Sequence, residues 1–152
     1  KEKNMSVYKS RRSVSLAEYI QHALRLRKIT IRTVKRMPKS YRWIITNSLL
    51  ELTQQIFVNC LKANGIPINE AITDEDFKLR HSYLMQANSS LVALEAEITF
   101  CYELIDVGNS AFKSKDEYDR IFNNWIDVAS KTLKLVRGAI SYDKARYKQL
   151  RK

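Results

Sequence analysis

The chain has 152 residues, 45% of them hydrophobic, with only 3 Gly and 2 Pro. That length supports one domain with one core, and the apolar share excludes a disordered chain. So few turn-formers argue for a few long elements and against a many-stranded β fold, and a net charge of +11 points to an anionic partner.

The charge is polarised along the chain. Residues 1–42 carry 13 Lys or Arg against 2 acids, 43–133 carry 7 against 13, and 134–152 carry 7 against one. Basic ends around an acidic middle suit a protein that docks a polyanion, or one whose copies meet head to tail. No run of about 18 apolar residues is present, so no membrane span is expected. The polar, basic N-terminus has no signal-peptide character, and a cytoplasmic location follows. Met5 reads as a natural start, with Lys1–Asn4 as a processing remnant. Residues 1–12 form a basic arm.

Ser15-Leu-Ala-Glu18 has the pattern of a capping box and opens a first helix that Pro38 closes near Met37. Between Arg25 and Arg42 lie eight Lys or Arg and no acid. At 3.6 residues per turn Arg25, Lys28, Arg32, Lys35 and Arg36 share one face, opposite Leu26, Ile31, Val34 and Met37. A solvated face normally mixes signs and gains i,i+4 pairs. A one-signed face calls for an external anion. Lys39 and Arg42 extend it around the turn, and Lys144, Arg146 and Lys148 add a basic tail. These ten residues are the candidate nucleic-acid contacts, neutralising phosphates and releasing counterions. Tyr41 and Trp43 are candidates for stacking on unpaired bases. Their alternative role is to close the end of a core. The stripe's own alternative is a seam against another protein or another subunit.

A second helix begins within Pro38–Tyr41 and runs to Asn64, with Gly65 as its stop. Thr73 caps a third helix whose first turn holds Asp74, Glu75 and Asp76. Phe77, Leu84, Leu91, Ile98 and Ile105 recur every seven residues, so this rod of about 33 residues, roughly 50 Å, packs at a shallow angle and ends at Gly108. Ser114-Lys-Asp-Glu117 opens a fourth helix. That helix weakens near Gly138–Ser141, leaving a tail over 142–152. Together these predict an all-α, up-down-up-down four-helix bundle as a single domain. Arg27 and Glu95 both fall on apolar stripes at matching depth, which predicts a partly buried ion pair between them.

Several of these segments are familiar. Met5-Ser-Val-Tyr-Lys-Ser-Arg-Arg12, Met37-Pro-Lys-Ser-Tyr-Arg42, Lys62-Ala-Asn-Gly-Ile66, Tyr83-Leu-Met-Gln-Ala-Asn88 and Ser141-Tyr-Asp-Lys-Ala-Arg-Tyr-Lys148 resemble a family of bacterial four-helix-bundle proteins. That family includes proteins encoded in ribosomal RNA intervening sequences and the accessory variability determinant of diversity-generating retroelements. The resemblance implies a homopentamer that binds RNA or DNA and partners a reverse transcriptase. Catalysis finds no support: His22 and His81 have no triad or metal-helix spacing to Ser, Cys or carboxylates, and Cys60 and Cys101 read as buried free thiols. No enzyme activity, metal or cofactor is therefore expected.

Overall fold

The computed structural model describes residues 17–152, and those residues are helical with no strand among them. α1 spans Glu18–Val34, α2 Lys39–Tyr41, α3 Asn47–Asn64, α4 Asp74–Leu104 and α5 Lys115–Leu150. A π-helical turn, Arg42–Thr46, joins α2 to α3, and a 3-10 turn, Val107–Asn109, follows α4. α2, the π turn and α3 make one rod, so four rods form the bundle. The basic arm and the Ser15 cap lie outside the described residues. The observed N-cap of α1 is Ala17, which makes no side-chain cap.

Contacts fix the arrangement. α1 packs on α3 and α5, and α4 packs on the same two helices, so α1 and α4 stand diagonally opposed. Arg36 at the end of α1 meets Glu117 at the start of α5. Arg80 at the start of α4 reaches the carbonyls of Ala63 and Ile66 at the end of α3 and Asp143 late in α5. Neighbouring rods therefore run antiparallel.

The seven-residue repeat of α4 does what its period demands. Leu84, Leu91, Ile98 and Ile105 are buried, with Ala87, Leu94 and Cys101 between them. They meet Ile20 and Leu26 of α1, Leu49 and Ile56 of α3, and Trp125 and Val136 of α5. Thr73 and Ser114 cap α4 and α5 by accepting from the N–H groups of Asp76 and Glu117. Glu117 reaches back to the N–H of Lys113, one residue before the cap.

α4 and α5 end elsewhere than expected, and the stop at Gly65 falls in the expected place by a different route. α4 ends at Leu104, before Gly108, where Ile105 turns extended and buries its side chain. Gly65 caps α3 in the right-handed region, φ −71°, so the stop comes from the Ile66-Pro67 segment and not from a left-handed glycine. α5 does not weaken at Gly138 but continues to Leu150, which makes most of the expected tail helical. Its last turns are anchored: Ile140 and Asp143 are buried, Tyr147 stacks on Phe77 at 4.0 Å, and Arg151 donates to the Ile72 carbonyl.

The predicted Arg27–Glu95 ion pair does not form. Arg27 lies over the Phe57 ring of α3 at 5.7 Å, and Glu95 accepts from Ser130 of α5. The reason is topological. The two side chains share a depth, but α1 and α4 face each other only across the diagonal.

Candidate functional site

The cationic face of α1 is present and solvent-facing. Arg25, Lys28 and Arg32 sit one turn apart on its outer side and, with Gln21, Leu24, Ile29 and Asn124, line an open groove of about 340 Å³. None of the three cations has an ion-pair partner among the described residues. Asn124 comes from α5, and no pattern within α1 could have revealed it.

The other predicted cations divide. Lys35 and Lys39 are exposed at the α1–α2 corner. Arg42 there donates to the Lys35 carbonyl at 3.1 Å. Arg36 is not free for a ligand, since its Nη1 lies 2.7 Å from Glu117 Oε1 and its carbonyl accepts from the N–H of Ala111. Lys144, Arg146 and Lys148 are exposed on the last turns of α5. Thr30 lies level with Trp125 and Tyr19 with Gly138–Tyr142. These three basic residues therefore lie beyond the described start of α1, roughly 20 Å along the axis from Arg25. The structure does not merge them with the α1 groove. Tyr41 packs against the core, while Trp43 is 85% exposed and Ile44 74% exposed on the π turn. The two aromatics do not form one stacking platform.

Glu117 is held below the usual carboxylate range, first by the Lys113 backbone N–H and then by the Arg36 guanidinium. A depressed folded pKa means its contribution to stability is complete above the unfolded value, about 4.3, and is lost as pH falls through the lower folded value. Glu117→Gln should therefore lower the melting temperature at pH 7, and the gap to wild type should close in an acid titration. An equal gap at pH 2 would remove the carboxylate from the account.

Thiol chemistry has clear geometric requirements. A nucleophilic cysteine needs a lowered pKa, typically at a helix N-terminus or beside an imidazole in hydrogen-bond reach. Cys60 and Cys101 are free, fully buried, and sit near the C-terminal ends of α3 and α4. Burial pushes both thiols up to about 12, with Glu97 adding to the effect at Cys101. His22 lies 4.0 Å from Glu18, and His81 stacks on Phe77 with its Nδ1 buried and without a hydrogen-bond partner. Among the described residues neither histidine hydrogen-bonds a thiol, and no three His, Cys, Asp or Glu side chains group as a metal site would need.

One buried polar pair was missed by sequence reasoning. Arg80 Nε and Nη2 clasp Asp143 at 2.7 and 3.1 Å, with the two side chains 13% and 3% exposed. Its signal was legible, since Arg80 precedes Ala87 by seven residues and Asp143 follows Val136 by seven. Both are core positions.

Compared with known proteins, residues 11–151 match the model of a family described as "Putative papain-like cysteine peptidase (DUF1796)". No curated protein and no solved structure matches significantly. The family match overturns the resemblance to ribosomal RNA intervening-sequence proteins and to the accessory variability determinant. With that resemblance goes its implied function, nucleic-acid binding in support of a reverse transcriptase. The expectation of no enzymatic activity is corrected as well, because the family's description is that of a peptidase. The all-α bundle stands. No helix among the described residues is long and apolar enough to cross a membrane.

Proposed function

The chain belongs to that DUF1796 family, and on this footing we propose that it works in peptide recognition, taking an acidic stretch of polypeptide on the cationic face of α1. The family description supplies the class of ligand, and the face supplies its sign. The observation that carries the reading is the groove beside Arg25, Lys28 and Arg32, where three exposed cations have no acidic partner among the described residues. Leu24 and Ile29 add an apolar floor to the same groove. A carboxylate side chain meeting such a face gains charge-assisted hydrogen bonds, strongest with the two guanidiniums. In the folded bundle Cys60 and Cys101 serve packing, and attack by either thiol requires the helices to part first. Their reduced, unpaired state fits a cytoplasmic setting.

The test pairs binding with thiol labelling. Fluorescent hexaglutamate should bind wild type with an affinity that falls as salt rises. Hexalysine should not bind. Arg25→Ala/Lys28→Ala/Arg32→Ala should weaken hexaglutamate by about tenfold or more, on the scale of three exposed charge contacts. Iodoacetamide at pH 7 should modify neither cysteine until denaturant is added. Equal binding of both peptides would sink the recognition reading. Rapid labelling of one native cysteine, abolished by Cys60→Ala or Cys101→Ala, would instead assign that residue as a reactive thiol.

A further inference from the structure

α4 is apolar on its core side and nearly uncharged on its opposite side too. Met85, Val92 and Phe100 are 42%, 47% and 50% exposed, and Ser82, Ser89, Ala96 and Thr99 share the outward side with them. From Ser82 to Thr99 these outward positions advance by three or four residues, Ser82, Met85, Ser89, Val92, Ala96, Thr99. That is a second coiled-coil seam on the far side of the helix from the core. The charges nearest in sequence point elsewhere: Arg80 is clasped to Asp143, Glu95 turns to Ser130, and Glu97 lies beside the buried Cys101. In a chain with 28% charged residues, an exposed face of this length without one is unusual. Small and apolar positions at this spacing, with no charge among them, let a second helix approach closely.

We propose that this face pairs with the same face of a second copy, antiparallel, about a two-fold axis passing between Ser90 and Leu91. The sequence is complementary to itself about that point. Lys78 meets Glu103 of the other copy, Ser82 meets Thr99, Met85 meets Ala96, and Ser89 meets Val92. The long side chain stands against the small one at Met85 and Ala96, and opposite charges close both ends. Lys78 and Glu103 are exposed and have no partner among the described residues of their own chain. An isologous pair needs such self-complementarity, and a heterologous partner would not.

Two further observations bear on a second copy. Beside the seam runs a groove of about 600 Å³ between α3 and α4, lined by Gln55, Val58, Asn59, Lys62, Met85 and Ser89 among others, with Lys62 its one charged side chain. It offers space for the partner's Val92 and its neighbours. Charge decides which faces turn outward and does not itself draw the copies together, since α4 is net acidic in both. α4 carries six acids against Lys78 and Arg80 in a chain of net charge +11, and it stands diagonal to the cationic α1. Pairing through α4 keeps the two basic faces apart and turned outward. Pairing through α1 would oppose them.

Light scattering and sedimentation across a concentration series test this. Wild type should weigh two chains at tens of micromolar, and Val92→Arg should weigh one with unchanged helical circular dichroism and melting. Lys78→Glu should weaken the dimer by about tenfold, because two-fold symmetry applies the repulsion twice. Lys78→Glu/Glu103→Lys should restore it. Under oxidation, Ser89→Cys/Val92→Cys should give a covalent dimer. A wild-type monomer, an assembly of another order, a Val92→Arg dimer, or failure of the charge swap to rescue would each overturn the proposal.

Discussion

Trp125→Ala should lower the unfolding free energy by about 3–5 kcal/mol, the range for deleting a large buried aromatic, and drop the melting temperature by roughly 10 °C in a domain of this size. Trp125 is fully buried in the first third of α5 and closes one end of an aromatic cluster, with Phe122 at 5.4 Å and Tyr118 beyond. The loss has two separable parts. The indole N–H donates to Thr30 Oγ1 at 2.9 Å, and that hydroxyl donates in turn to the Leu26 carbonyl at 2.8 Å. Thr30→Val keeps the volume and leaves the indole N–H buried without an acceptor, which should cost about 1–3 kcal/mol. Trp125→Phe removes the donor along with some volume. In the double variant Thr30→Val/Trp125→Phe the hydrogen-bond penalty should be counted once. Denaturant melts of the four proteins measure the coupling, and strictly additive losses would show that the bond contributes nothing.

Asp143→Ala should cost about 3–5 kcal/mol by leaving the Arg80 guanidinium uncompensated in a site where both side chains are largely buried. Arg80 also donates to the carbonyls of Ala63 and Ile66, so it ties the end of α3, the start of α4 and the late part of α5 together. The Tyr19 hydroxyl is buried nearby without a hydrogen-bond partner, and desolvation raises its pKa. Arg80→Met/Asp143→Leu should be milder than either single change, because the pair as a whole recovers little more than its own desolvation. Local opening should then appear at the α3–α4 connection, read as faster amide exchange over residues 61–73. If Asp143→Ala melts like wild type, the pair carries no structural weight. If the apolar double variant is the worst of the three, the carbonyl bonds of Arg80 matter more than its salt bridge.

The pair expected at Arg27 and the pair missed at Arg80 have one cause. Both arginines lie on apolar stripes, and for both a carboxylate at matching depth exists on another helix. Depth along a helix is readable from one sequence because rise per residue is constant. Which rods are neighbours is not, since a stripe faces the core without saying which of three other stripes it meets. Arg27 and Glu95 sit on diagonal helices and never met, while Arg80 and Asp143 sit on adjacent ones and did. Arg36 shows the same limit at the surface. The helical period puts it on the cationic face, yet α1 ends at Val34 and the loop before α5 returns beside it and claims its charge for Glu117.

By itself the sequence determined the number of rods, the caps at Thr73 and Ser114, the core stripe of α4 and the one-signed face of α1. Each of these is a short-range property of helical period and first-turn hydrogen bonding. The path of α5 through Gly138 was a tertiary decision, because burial of Ile140, the Arg80–Asp143 clasp and the Phe77–Tyr147 stack outweigh the modest helix penalty of one glycine. So was the fate of the two thiols. A cysteine on an apolar stripe is legible as buried, but the absence of an imidazole within its reach depends on how four helices stand around it.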